Sequence, residues 1–353
     1  MSNGLTIALD AMGGDQAPEM IVQGVDIALE RSPDLKIILV GDEALILSLL
    51  KTTKRLKKHF PEIIHTKKVI ADEEKPSVAL RQGQGSSMSL AIDLVGNGKA
   101  DCVVSAGNTG ALMAISKKVL RLMPGIDRPA IAGFFPTKHG ESVMLDLGAN
   151  ISCDAKNLVQ FSIMGQIFVR TVLGLRRPVV GILNVGIEGQ KGNNCVREAA
   201  ATLQRMTNMP FEFYGFVEGD DIPAGTVDVI VTDGFSGNIA LKTAEGTSQL
   251  ISQFLRDAFH NSLLSKIGYL LVRSAVKQLR QRIDPRRYNG AMVLGLNGIA
   301  VKSHGSTDAL GFANAIGVAA DMKRYRFLEK VCEELINNDF DLPEEQSKLA
   351  TTA

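Results

Sequence analysis

What most constrains this chain is a rhythm. Short β-branched runs alternate with longer amphipathic segments, and the junctions are rich in glycine and small polar residues. Thr6–Leu9, Lys36–Val40 and Asp101–Ser105 read as strands. Pro18–Glu30, Glu43–Lys58, Ser86–Val95 and Ala111–Leu122 read as helices, the first carrying Ile21, Val25, Ala28 and Leu29 on one face. Strand, loop and helix in repeated order imply an α/β chain with a mostly parallel sheet covered on both faces.

The middle departs from that rhythm. Pro129–Phe135 and Ser142–Leu147 are expected to pair as a hairpin across the longer loop Pro136–Gly140. Helices at Asp154–Leu173 and Val196–Met206 then alternate with strands at Val179–Val185, Phe211–Val217 and Val227–Thr232. Ile239–His260 and Leu263–Ile283 read as long helices, Met292–Lys302 as one strand, and Asp308–Leu335 as one C-terminal helix. No fixed-period repeat or Ser/Pro-rich linker divides the 353 residues. A single α/β domain over 1–340 is expected, with two lobes left open, and a polar, frayed tail over 341–353.

In open α/β sheets ligands bind beyond the carboxyl ends of the strands, so the residues after each strand matter most. Those stretches are Asp10–Asp15, Ser105–Gly110, Asp146–Asn150, Asn184–Gly186 with Lys191–Asn193, Thr232–Asn238 and Lys302–Ser306. Glycine lets an anion approach the backbone, and helix N-termini point N–H groups and a favourable dipole at it. Any one of these loops is an ordinary turn. Six at successive strand ends suit a phosphate.

Other chemistries lack their signatures. No G-x-G-x-x-G follows a strand, and neither a P-loop nor H-E-x-x-H is present. Gly234–Gly237 misses the G-x-S-x-G spacing of a nucleophile elbow. The formal net charge of +1 implies no nucleic-acid partner. Four cysteines without a C-x-x-C pair fit free thiols in a reducing, cytoplasmic setting. The opening run Leu5–Leu9 is strand-like, so no signal peptide is expected, and no apolar run has the length of a membrane span.

The motifs DAMGGD (Asp10–Asp15), SAGNTGAL (Ser105–Leu112), LDLGAN (Leu145–Asn150), Asn184–Gly186 with Lys191-Gly192, VTDGFSGNIALK (Val231–Lys242) and LGLNGIAVKSHGSTD (Leu294–Asp308) resemble, in this order, the phosphate acyltransferase family of bacterial phospholipid synthesis. Two places depart from the family pattern. Ile187-Glu188 stands where two acidic residues are usual, and Asn289-Gly290-Ala291 where Gly-Gly is. The resemblance implies an acyltransferase that moves a fatty acyl group from acyl-carrier protein to inorganic phosphate. The acyl phosphate would feed a membrane glycerol-3-phosphate acyltransferase. It also implies a homodimer and a three-layer α/β/α sandwich, isocitrate/isopropylmalate dehydrogenase-like and related to phosphotransacetylases.

In such a reaction phosphate is itself the nucleophile, so no covalent acyl-enzyme, cofactor or metal is expected. Asn108, Thr109, Asn184, Ser236, Gly237 and Asn238 are the expected phosphate and oxyanion cradle, with Gly107, Gly110, Asn150, Gly234 and Ser303 as further binding positions. Lys191 would neutralise charge. His304 would protonate the leaving sulfur or orient phosphate, and Asp233 would orient Lys191 or His304. The plainer readings are a solvated loop lysine, a turn histidine and a turn-forming aspartate.

Basic residues crowd Lys51–Lys58, which reads as a solvated helix face, and Arg273–Arg287. In the second segment Leu263, Ile267, Leu270 and Leu271 recur at helical spacing. A dimer or core helix, a surface for the acidic carrier protein, and a transient membrane contact all fit. Two other function classes remain at this stage: an NAD- and metal-dependent hydroxyacid dehydrogenase using Asp10, Asp15, Asp146 and Asp233, and a non-catalytic phospho-ligand protein.

Overall fold

The strands are β1 (Thr6–Asp10), β2 (Lys36–Gly41), β3 (Glu62–His65), β4 (Cys102–Ser105), β5 (Ala130–Thr137), β6 (Gly140–Leu145), β7 (Val179–Leu183), β8 (Glu212–Val217), β9 (Val229–Val231), β10 (Ala291–Leu294) and β11 (Ile299–Lys302). The helices are α1 (Glu19–Arg31), α2 (Glu43–Leu50), α3 (Pro76–Gln82), α4 (Ser87–Gly96), α5 (Thr109–Leu120), α6 (Ala155–Val172), α7 (Asn194–Arg205), α8 (Asp221–Ala224), α9 (Gly234–His260), α10 (Leu263–Arg282), α11 (Ala309–Arg324) and α12 (Phe327–Asn337). This computed structural model describes residues 4–337 except 58, 208 and 283. Lys58 and Ile283, the expected ends of two helices, and the tail over 341–353 lie outside the described residues.

The strands form one sheet in the order β3-β2-β1-β4-β11-β10-β5-β6-β9-β7-β8. Neighbours are parallel except at β11–β10, β10–β5 and β5–β6. The block β3, β2, β1, β4, β11 therefore runs one way and the block β6, β9, β7, β8 the other. The two sets of carboxyl ends face opposite edges, yet register brings them close. Lys302 pairs with Ala291, while Met292 and Leu145 both pair with Ala132. The last residues of β11 and β6 thus differ by one residue in level, three strand spacings or about 14 Å apart.

Alternating strand residues feed two layers of helices. Ile7, Leu9, Val104, Val301, Leu145 and Val231 join one continuous core with residues of α1, α6, α7 and α11. Ala8, Val103 and Ala300 face α4 and α5, and Met144 and Ile230 face the start of α9. The result is the expected α/β/α sandwich.

Several boundaries differ from expectation, each for a local reason. The helix from Glu43 stops at Leu50 because Thr52 and Thr53 donate their hydroxyls to the Leu49 and Leu50 carbonyls, and Asp26 takes the Arg55 and Leu56 amides. The single strand expected at Met292–Lys302 is the hairpin β10–β11, turned at Gly295, whose φ is +89°. The C-terminal helix breaks at Arg326, with φ 56°. The β5–β6 turn is tighter than expected, since Thr137 pairs with Gly140. Helix α9 begins at Gly234 rather than Ile239, so Gly234–Asn238 is a first helical turn and not a loop. The edge strand β3 and the seven-residue α3 had no sequence expectation.

Candidate functional site

The expected site residues fall into two groups, one at each set of strand ends. The first lies beyond β1, β4 and β11. Asp10 is buried, accepts a 2.7 Å hydrogen bond from Ser105 Oγ, and burial raises its pKa. The Ser105 hydroxyl also accepts the Gly107 amide. A Cβ on Gly13 would stand 2.6 Å from both Asp10 Oδ2 and the Gly107 nitrogen, so glycine is required where these loops touch. Asn108 caps α5 through the Ala111 amide, and its Nδ2 donates to the Ala71, Asp72 and Glu74 carbonyls. Its side chain therefore fixes the loop over α5. Thr109 is exposed at the helix start, and Gly110 lies beside Pro76.

Two lysines and a histidine meet there. Lys302 Nζ donates to the Ala106 carbonyl at 3.2 Å and to the Ser303 carbonyl. Among the described residues it forms no ion pair, and burial pushes its pKa down to about 8, opposed by the charges of Asp72 and Asp10. Lys242, from α9, places Nζ 3.3 Å from His304 Nε2 and 3.0 Å from Glu245. Burial and then Lys242 lower the His304 pKa. Ser303 is buried, with its hydroxyl accepting from Asn289 Nδ2. Asn289 also accepts the His304 amide, so the departure from the Gly-Gly pattern carries the histidine loop.

The second group lies beyond β6, β7 and β9. Asp146 is fully buried. One carboxylate oxygen accepts the Ile131, Gly148 and Ala149 amides, the other the Asn150 amide and side chain. Asn150 also reaches the Pro129 carbonyl. The Gly234 amide donates to the Asn150 carbonyl, and a Cβ on Gly237 would stand 2.0 Å from the Asp146 carbonyl oxygen. Asn238 lies against Gly148. Together these seat the first turn of α9, capped by Asp233 through the Ser236 amide.

A cavity of about 340 Å³ opens between that turn and the start of α7, lined by Asn184, Asn193, Asp233, Ser236, Cys153 and Cys195 among others. Asn184 Nδ2 donates to the Gly186 and Lys191 carbonyls, shaping the loop at its rim. Lys191 is exposed and pairs with Glu188 at 3.2 Å.

Helix α9 joins the groups. Gly234, Gly237, Asn238, Leu241, Lys242 and Glu245 recur at helical spacing. Lys242 sits eight residues beyond Gly234, about 12 Å along the axis. Asn108, Thr109, Ser303 and His304 thus lie at one end, Asn184, Lys191, Asp233 and Ser236 at the other, with Asn150, Gly237 and Asn238 seating the helix between. The residues not anticipated from sequence are Lys302, Lys242, Glu245 and Asn289. The i, i+4 and i, i+7 spacing of Asn238, Lys242 and Glu245 was the available signal for two of them.

Comparison with known proteins follows the same lines. The family described as "Fatty acid synthesis protein" matches residues 5–330. A phosphate acyltransferase of Rhodospirillum centenum is 62% identical over 335 residues, covering 95% of this chain and 94% of that one. Another, of Paramagnetospirillum magneticum, is 56% identical over 340 residues, covering 95% of each. Among solved structures, a phosphotransacetylase from Streptococcus pyogenes superposes with TM-score 0.59 at 16% identity, covering 93% of this chain and 95% of that one. EutD phosphotransacetylase from Staphylococcus aureus gives 0.58 at 16%, covering 90% and 94%. These two share the fold.

Proposed function

The chain belongs to the fatty acid synthesis protein family and within it to the phosphate acyltransferases, and from that premise we propose that it holds phosphate at the Lys302–Lys242–His304 cluster for attack on a fatty acyl thioester of acyl-carrier protein. Acyl transfer to phosphate is the family's reaction and this chain's; the dehydrogenase and the non-catalytic reading are not favoured. The single observation that carries the placement is Lys302, a desolvated ammonium held by two carbonyls with no ion-pair partner among the described residues. An anion arriving there gains a charge-assisted hydrogen bond from an ammonium that burial has stripped of water.

The step needs no enzyme nucleophile. A phosphate oxygen attacks the thioester carbonyl carbon, the C–O bond forms, the C–S bond breaks, and the proton of hydrogen phosphate passes to the thiolate. Lys302 and the N–H groups at the start of α5 orient phosphate. His304, kept neutral by burial and Lys242, orients rather than protonates. Lys191, Asn184, Asp233 and Ser236 form the opposite wall, where Lys191 supplies charge for the acyl donor. The test is hydroxylamine trapping. Acyl hydroxamate should form from acyl-carrier protein only with both enzyme and phosphate present; formation independent of phosphate would refute the reading.

We propose further that the chain is a cytoplasmic homodimer joined through α9 and α10. Leu250, Ile251, Phe254, Ile267, Leu270 and Leu271 are exposed on this helix pair, and large apolar side chains exposed together mark an interaction surface. No helix among the described residues is long and apolar enough to cross a membrane. Leu270/Leu271→Glu should yield monomers in sedimentation; a dimer that persists while liposome flotation is lost would assign the face to lipid.

A further inference from the structure

On the reading that this chain transfers a fatty acyl group to phosphate, we infer that the acyl chain lies in the groove between α1, α2 and the start of α11. The groove has a volume of about 790 Å³. One wall is a stripe of α1 carrying Met20 and Ile27, the other a stripe of α2 carrying Leu45 and Leu49, and Leu310 of α11 lines it beside Asp308. Leu45 is 48% exposed, an apolar side chain facing open groove.

Three observations select the occupant. The inner end is continuous with the phosphate cluster: the groove begins at Gln16 and at Asp308, the Asp15 amide donates to the Gly305 carbonyl, and His304 precedes that carbonyl by one residue. A chain leaving the reacting carbonyl carbon beside His304 therefore meets this groove first. Met20, Ile27, Leu45 and Leu49 give its walls apolar surface beside Gln23 and Ser48, and each methylene removed from water against it gains about fourfold in binding. Its charged members are Glu19 and Asp308, and Asp308 is paired with Arg286 at 2.7 Å. The remaining charge, Glu19, disfavours the phosphodiester of the carrier protein's prosthetic arm there and is indifferent to a neutral alkyl chain.

The experiment compares Leu45→Glu and Ile27→Trp with the unaltered enzyme, using butyryl- and palmitoyl-carrier protein as donors and acyl hydroxamate as readout. Leu45→Glu introduces charge at an already exposed position, and Ile27→Trp fills the space along the α1 wall; a thermal melt monitors folding of both. Palmitoyl kcat/KM should fall by about tenfold or more, the equivalent of about two methylenes, while butyryl kcat/KM stays within about twofold. Equal loss for both donors, or unchanged palmitoyl turnover in both variants, overturns the groove. If the unaltered enzyme makes no acyl phosphate from either donor, the underlying reaction fails instead, and the two failures are told apart.

Discussion

Lys242 Nζ stands 3.3 Å from His304 Nε2, tying the helix that begins after β9 to the loop that ends β11. An ammonium only donates, so Nε2 accepts, while Nδ1 faces Ser306, 3.3 Å from its amide nitrogen and 3.0 Å from its Oγ. The imidazole is thereby a neutral strut that aims a lysine. Removing the neighbouring charge should raise the His304 pKa, because Lys242 disfavours the imidazolium and Glu245 favours it. In Lys242→Met, an NMR titration of the His304 ring should show its midpoint moving upward. An unmoved midpoint would mean the contact does not exist in solution.

The thiols beside the 340 Å³ cavity should be bystanders. Burial, with Asp146 and Asp233 adding to it, pushes Cys153 up to about 12, so it remains a thiol at neutral pH. Cys153→Ser should keep kcat within about twofold, and mass spectrometry of the enzyme caught in turnover should show no acyl adduct. An acylated Cys153 would replace direct phosphate attack with a two-step route.

Asp146 gathers four backbone amides and the Asn150 side chain. An asparagine would turn an NH2 group toward donors, leaving at least one buried amide unsatisfied. Asp146→Asn should cost about 2 kcal/mol or more in urea unfolding. Gly237→Ala should cost a similar amount by driving a methyl into the Asp146 carbonyl and lifting the first turn of α9.

Most of the layered fold was legible because strand and helix periods differ and the strand-end loops punctuate them. The Asp101–Ser105 strand, the Asp154–Leu173 helix and the hairpin pairing near residues 130–145 follow from local pattern alone. What pattern could not supply was long-range. Asp26 stops the helix at Leu50 through the amides of Arg55 and Leu56. The reversal of strand direction after β11 depends on the pairing of β10 with β5, which are far apart in sequence. For the same reason the six loops do not form one ring but two groups. Asn108, Asn150 and Asn184 looked like ligand donors, yet each donates within its own surroundings, and a side chain's partners in a fold are not written in its spacing.

Asn289 offers a separate check on the first group. It donates to Ser303 Oγ and the Gly311 carbonyl and accepts the His304 amide. Asn289→Leu should lower the melting temperature, consistent with a loss of about 1–3 kcal/mol for the unmet polar groups. It should lower kcat by more than Cys153→Ser does, because the His304 loop loses its anchor.

The alkaline limb of activity should belong to Lys302. It is protonated below about pH 8 and neutral above, so kcat/KM for phosphate should fall as pH rises through that value. Lys302→Arg keeps its charge throughout and should shift the limb to higher pH, whatever its effect on the maximum. A limb that stays in place would assign the titration to another group.

The most direct measurement of the central claim is the phosphate dependence of acyl hydroxamate formation by Lys302→Met at pH 7, with saturating acyl donor. Loss of a charge-assisted hydrogen bond to phosphate should raise the phosphate KM by about 10- to 100-fold, with the donor KM little changed. A Lys302→Met enzyme with an unaltered phosphate KM would place the attacking phosphate somewhere else in the molecule.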